Sequence, residues 1–333
     1  MEMTGEALMS QPFRGTKLFG AHLKTLGALL VMAAALAACG RAHDTTTAVP
    51  AQPAQRSFAS PEEAGAAVLA AAQAGDQAAL LTIFGPDAKE ILSSGDTVKD
   101  RENMHDFVAA YMQMHRWRKI KAGGEMLYIG ADNFLFPIPL DEKSAGAWQF
   151  DTDAGKDEIL ARRIGRNELA TIAACTALAN AQVQYFSRNH DADPVRQYAQ
   201  RIVSDEGKQD GLYWPVSTGQ APSPLEDVYE FAKAAGYTGA GTHPRPFNGY
   251  YFLMLTKQGD RAPGGAKDYI VDGKMTGGFA FVAYPAEYRN SGIMTFIVGP
   301  DGVVYQQDLG ASTATTAAAM TEYNPGDGWV RAL

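Results

Sequence analysis

The sequence predicts an α+β protein: three helices and a curled antiparallel sheet, then a long helix packed on a second antiparallel sheet. Three observations carry this expectation. Ser60-Pro61-Glu62-Glu63 opens a helical stretch that ends at Gly75, and apolar spacings of three and four recur as far as His115. From Trp117 the pattern changes to short strands. Beyond Arg188 the chain turns loop-rich and then alternates, with Asp272-Gly273 and Asp301-Gly302 at hairpin spacing. A long helix laid across an antiparallel sheet is an economical way to bury both apolar faces.

The first element precedes the fold. Residues 26–40 read LGALLVMAAALAACG, shorter than the ~20 residues a spanning helix needs. Arg14, Lys17 and Lys24 precede the run and small residues end it, which is the pattern of an export signal. Leu36-Ala37-Ala38-Cys39 resembles the lipobox of bacterial lipoproteins, in which the chain is cut before the cysteine and that residue is acylated. The resemblance implies lipidation of Cys39, removal of 1–38 and a periplasm-facing envelope protein whose partner is the membrane itself. Two acyl chains hold a protein on a bilayer far more firmly than one. Gly40 stands where an inner-membrane retention signal would place Asp, which points to the outer membrane. Glu2 and Glu6 are unusual in such a leader, and Met9 offers a second start.

Composition bounds the rest. At 333 residues, 46% hydrophobic and 20% charged, the chain suits two modest globular domains rather than disorder. A net charge of -8 gives no electrostatic footprint for nucleic acid. With Cys39 consumed by lipid, Cys175 has no partner for an intramolecular disulfide, and its helical spacing from Ile172 and Ala179 suits a small buried thiol.

Residues 39–57 read as a flexible tether, polar and with two prolines, in which the ~17 residues of 40–56 reach roughly 20–25 Å. The first module, 58–164, begins with the capped helix ending at Gly75. A second helix starts near Asp76 with Leu80, Leu81 and Phe84 on one side and is interrupted by Gly85-Pro86. The third, near 100–115, spaces Met104, Phe107, Val108 and Tyr111 at i, i+3, i+4 and i+7. Strands follow at 126–129, 133–138 and 147–150. The second module, 165–333, begins with the longest helix, 167–188, with Leu169, Ile172, Thr176, Ala179, Val183 and Phe186 as its buried stripe. Ser223, Pro224 and Glu226 cap a short helix closed by Gly236, and strands follow at 250–256, 268–271, 274–284, 293–298 and 303–308.

Four stretches resemble an uncharacterised family of exported Gram-negative proteins, catalogued as domain of unknown function twenty-nine fifty. They are FPIPLDEKSAGAWQFDTDAGKDEILARRIGRNEL, DGLYWP, PFNGYYFLMLTKQGDRAPGGAKDYIVDGKMTGGFAFVAYPAEY and SGIMTFIVGPDGVVYQQDLG. That likeness brings no activity with it. The order of elements in the first module resembles the cone of nuclear-transport-factor-two-like (NTF2-like) domains. In the second, Ala181, Gln182 and Tyr185 on the long helix, then Gly249, Tyr250 and Phe252 and a Phe…Asp-Gly hairpin, resemble the globular head of type IV pilins. The leader lacks the pilin polymerisation helix, so a pilin-like head here implies no filament.

Chemistry is sparse. There is no Walker loop, Gly-x-Gly-x-x-Gly or Gly-x-Ser-x-Gly elbow, so no cofactor is expected. Asn189, Asp191 and Asp193 occupy positions one, three and five of a calcium-type loop, but Pro194 and Gln200 replace its glycine and bidentate acid; a polar turn is the stronger reading. Of the six histidines, His105 and His115 share the third helix at a spacing unsuited to one metal. His105, Asp106 and Tyr111 are the titratable candidates for a hydrolase site inside a cone, although adjacent helix residues face different ways. Tyr213, Trp214, Tyr250 and Tyr251, with the basic Arg245 nearby, read mainly as packing and secondarily as a stacking surface for a glycan or an envelope protein. The expectation is a non-catalytic binding or scaffolding protein, with a periplasmic hydrolase or an assembly factor as alternatives.

Overall fold

Helices come first because their ends are written in side-chain chemistry. Ser60 Oγ accepts from Glu63 N at 3.2 Å and starts α1 (Pro61–Ala74), which Gly75 ends at φ 62°. Glu63 in turn accepts from Ala59 N, one residue earlier than a capping box would have it. Asp76 caps α2 (Gln77–Phe84), and Asp96 caps α4 (Thr97–Gln113) by accepting from Val98 N and Lys99 N; α3 (Lys89–Leu92) lies between them. These residues belong to a computed structural model that describes 54–121, 123–216, 221–234, 237 and 245–332. Cys39, His22, His43, Gly236 and His243 lie outside the described residues.

An antiparallel sheet follows, built from β1 (His115–Lys119), β2 (Glu125–Ile129), β3 (Phe134–Leu135), β4 (Leu140–Ser144) and β5 (Ala147–Phe150). Its order is β1-β2-β4-β5, with β3 on β2. The third helix thus ends before His115, which opens a strand that the sequence pattern did not suggest; β4 is a second such strand. The last residues of the expected tether are part of the fold. Gln55 donates to Ile83 O and Phe150 O, Arg56 N donates to Thr82 O, and Phe58 pairs with Trp148.

The long helix is the largest departure. α5 runs Thr152–Phe186, 35 residues, so it starts well before 167 and the expected module boundary at 164/165 falls inside it. Its buried stripe keeps Ala179 and, half-buried, Ile172 from the expected one but is rotated away from Leu169 and Val183. Leu169 and Val183 are each 59% exposed, whereas Asn167, Thr171, Cys175, Leu178, Gln182 and Tyr185 are buried. Polar groups can occupy that stripe because each is satisfied. Asn167 donates to Ser291 O, Thr171 to Asn167 O, and Gln182 exchanges two hydrogen bonds with the backbone of Ala199.

The remaining elements are β6 (Arg201–Val203), β7 (Gly211–Tyr213), α6 (Glu226–Ala234), β8 (Tyr250–Leu255), β9 (Lys257–Gln258), β10 (Lys267–Asp268), β11 (Ile270–Val271), β12 (Lys274–Met275), β13 (Ala280–Pro285), β14 (Thr295–Val298), β15 (Val304–Gln307), α7 (Thr313–Ala318), β16 (Glu322–Tyr323) and β17 (Val330–Arg331). The main sheet has the antiparallel order β17-β15-β14-β13-β8. Every residue of β13 and β14 is buried, as strands covered on both faces must be; α5 packs against both and α7 against β13. Asp272-Gly273 makes the β11–β12 hairpin, both residues at positive φ. The expected strand at 274–284 is broken instead, because Thr276–Phe279 leave the ladder between β12 and β13. The fold is therefore α+β, with seven α-helices and several antiparallel sheets among the described residues.

A buried polar seam joins the two halves. Asp96 accepts from Tyr237 Oη at 2.7 Å and Gly249 N at 3.0 Å. Arg163 donates to the carbonyls of Glu90 and Ile91 and to Asn290 Oδ1, and Asn290 donates to Ser93 O at 2.8 Å. Glu168 accepts from the amides of Ile293 and Met294. Gly249 sits at φ 77°, and a Cβ there would lie 2.7 Å from Asn167 Nδ2, so the close approach requires glycine.

Candidate functional site

The apolar cluster of the N-terminal half does not close on itself. Phe84, Phe136 and Phe150 pack ring against ring, with centroids 4.9 to 6.4 Å apart, yet beside them lies a chamber of about 490 Å³. Ligand sites span roughly 300–1,000 Å³. Its floor includes Val68, Leu80, Phe84 and Ile138, all buried. One wall is the face of α4 that carries Lys99, Asn103, Met104, Phe107 and Ala110; the other is the face of α5 that carries Ile159, Arg162, Arg163 and Arg166. Both sets recur at steps of three and four, which brings them to one side of each helix. Exposed Asp106, Phe134 and Arg166 border the opening.

Three arginines therefore meet an apolar chamber, and they are not equivalent. Arg163 is the buried hub of the polar seam; burial depresses the pKa of its guanidinium, and Asp100 and Glu287 oppose that effect. Arg162 is bound to Glu158 at 2.6 Å, donates to Leu135 O and lies over the Phe134 ring, 5.0 Å from its centroid. Arg166 is exposed, with no acid at ion-pair distance among the described residues. Lys99 pairs with Glu102 at 2.8 Å. Of the two acids on the lining, Asp106 is exposed and Asp100 buried. Burial raises the Asp100 carboxyl above its ordinary 3.8, and hydrogen bonds from Ser94 N and Oγ offset part of that rise.

The family model described as protein of unknown function (DUF2950) matches residues 55–332. The chain belongs to the DUF2950 family. No curated protein and no solved structure gives a significant match. In this DUF2950 chain the residues singled out in the sequence separate. His105 and Asp106 are 82% and 70% exposed, 3.8 Å apart. Tyr111 is buried with Leu127 and Ile129, its ring stacked on His115 at 4.1 Å. The three do not converge, because α4 turns Tyr111 inward and His105 outward. Asp106 alone reaches the chamber.

The aromatic candidates lie in the core rather than on a surface. Tyr213 stacks on Tyr229 at 3.6 Å and donates to Glu230, Trp214 packs edge-on to Tyr185 and His190, and Tyr250 donates to Met294 O. Tyr213, Trp214 and Tyr250 are buried this way and offer no ring face to a partner. Tyr251 is half-buried against Tyr284, and Arg245 is exposed. In the calcium-like stretch Asn189 is exposed, while Asp191 accepts from Gln209 N. Asp193 accepts from Val195 N, Gln197 and Lys274, the last at 2.6 Å. Protein donors already occupy both carboxylates, and among the described residues no three His, Cys, Asp or Glu side chains gather as a metal site. Burial pushes the Cys175 thiol up to about 12, so it is no nucleophile at neutral pH. No described helix is long and apolar enough to cross a membrane.

The chamber residues Asp100, Arg162, Arg163 and Arg166 were not singled out in the sequence. A signal existed: arginines at 162, 163 and 166 lie at helical spacing after Asp151, which accepts from Ala154 N and caps α5.

Proposed function

We propose that this DUF2950 chain is a lipid-anchored, periplasm-facing envelope protein, tethered at the outer membrane through Cys39. Its N-terminal NTF2-like module serves as a non-catalytic ligand-binding cup. Its C-terminal module, pilin-head-like in outline, is the rigid body to which the cup is fixed. The observation that carries this reading is the chamber of about 490 Å³, apolar on its floor and edged by arginines. Acid–base chemistry needs a nucleophile and base within reach of one another, and the polar side chains that line the chamber are Lys, Asp, Asn and Arg. The hydrolase alternative names His105, Asp106 and Tyr111, of which Asp106 alone lines the chamber; the other carboxyl there, Asp100, is engaged by both hydrogen-bonding groups of Ser94.

Anchor and cup are tested separately. Cys39→Ser should abolish radiolabelled palmitate incorporation and release the protein from the membrane fraction; unchanged labelling and fractionation would refute the anchor. Asn103→Trp places a large ring in the chamber at a position with no hydrogen bond to lose. It should abolish saturable uptake of an apolar fluorescent probe while circular dichroism stays unchanged. Equal uptake by the variant would refute the cup.

A further inference from the structure

We infer that the cup takes an amphipathic anion, a single alkyl chain ending in a carboxylate or phosphate, with its tail on the apolar floor and its head at Arg166. The inference rests on the ligand-binding reading above and names the class of ligand. It begins with a charge imbalance. Four basic side chains line the chamber, and three of them are committed: Arg163 to backbone carbonyls and Asn290, Arg162 to Glu158, Lys99 to Glu102. Arg166 is not, although it stands at the opening, and its charge acts on Arg163 so as to disfavour the latter's protonated form. An anion seated at Arg166 would relieve that repulsion. It would also gain the planar, two-point hydrogen bonding that a guanidinium offers to carboxylate or phosphate.

The neighbours fit such a head and tail. Arg162 is held over Phe134, so a second guanidinium is fixed close to an exposed ring at the opening. Asp106 also borders the opening, and its carboxylate would repel an anion; at 70% exposed, with His105 Nδ1 3.8 Å away, it is screened by solvent. Asp100 lies on the lining too, with its oxygens turned to Ser94 N and Oγ. Among the buried lining residues Val68, Leu80, Phe84 and Ile138 are apolar, and the buried polar ones, Asp100 and Arg163, are committed to Ser94 and to backbone carbonyls. An uncharged apolar ligand would leave Arg166 idle, and a short hydrophilic anion would leave the floor wet.

The test uses the full chain in phosphatidylcholine nanodiscs, with empty discs giving the partition background. Dodecanoate, dodecyl phosphate and dodecanol are titrated at pH 7. Dodecanoate or dodecyl phosphate should bind saturably and at least about fivefold tighter than dodecanol, and the tighter of the two identifies the head group. Arg166→Gln should remove most of that preference, weakening the two anions by several times more than it weakens dodecanol. Each methylene removed from the tail should weaken binding about fourfold, the equivalent of ~0.8 kcal/mol. If dodecanol binds as tightly as both anions, the cup stands and the anionic class is overturned. If no probe binds saturably and Asn103→Trp changes nothing, the cup itself fails.

Discussion

In the C-terminal half β13 and β14 are buried at every position, and Phe281 and Phe296 have no exposed surface. In the N-terminal half Phe84, Phe136 and Phe150 pack as closely, but the packing stops at a chamber walled by charged helix faces. One helix serves both ends. The C-terminal half of α5 buries Cys175, Leu178 and Tyr185 in the filled core, and its N-terminal half carries Ile159, Arg162, Arg163 and Arg166 along the unfilled one. The difference shows where stability resides. The filled core sustains the fold, and the seam through Asp96, Arg163 and Asn167 holds the open half on it, so that half can forgo part of its own apolar burial.

The largest effects should come from the filled core. Phe281→Ala removes a fully buried ring and should cost ~3–5 kcal/mol. Met104→Ala, half-buried on the chamber lining, should cost about 1 kcal/mol, since the lost methylenes border space rather than packed atoms. Urea denaturation of both variants checks the contrast, and equal losses would break it. Next comes the seam: Arg163→Ala strips the carbonyls of Glu90 and Ile91 of their donor and should cost ~3 kcal/mol. If the seam is what joins the two halves, proteolysis of that variant should also release a fragment of the N-terminal half.

A smaller, sharper comparison lies within α5. Glycine to alanine in a helix ordinarily gains ~0.5–1 kcal/mol. Gly165→Ala should behave so, since a Cβ there meets nothing within 4 Å. Gly155→Ala should lose ~1–3 kcal/mol, because its Cβ would lie 2.7 Å from Pro137 O and 2.8 Å from Ile138 Cα. Thermal melts that moved both variants in the same direction would contradict the packing described at the N-terminal end of α5.

The smallest effect concerns pH. Burial raises the Asp100 carboxyl above 3.8, so the folded chain holds that proton more tightly than the unfolded chain does. Its contribution to stability is complete below pH 3.8 and is lost as pH rises through the folded-state pKa. Asp100→Asn should therefore flatten the pH dependence of stability above 3.8, seen as a converging difference in denaturation midpoints between variant and wild type.

Elements whose ends are coded locally were legible in the sequence. Ser60, Gly75, Asp76 and Asp272-Gly273 act through their own backbone geometry, and each stands where its chemistry put it. The face of α5 was not legible. Reading its stripe by apolar residues alone selected Leu169 and Val183, which are exposed, over Asn167, Thr171 and Gln182, whose burial depends on partners distant in sequence or on the helix's own backbone. The start of α5 was missed because 156–166 carries six charged residues. Several of these find partners in the fold, such as Lys156 with Glu90 and Arg162 with Glu158, so the segment reads as loop until those partners are known. The chamber lies along that missed half-helix, which is why its arginines went unnoticed. The aromatics illustrate the converse: Tyr213 and Trp214 read mainly as packing, and Tyr185, His190 and Tyr229 pack around them in the core.

The central claim is that the N-terminal chamber is built to be occupied. Native mass spectrometry of the full chain, taken from envelope membranes without prior delipidation, tests it most directly. The account predicts a bound small molecule that survives mild activation in the wild-type protein and is missing from Asn103→Trp. Spectra showing bare protein for both, or the same adduct on both, would contradict it.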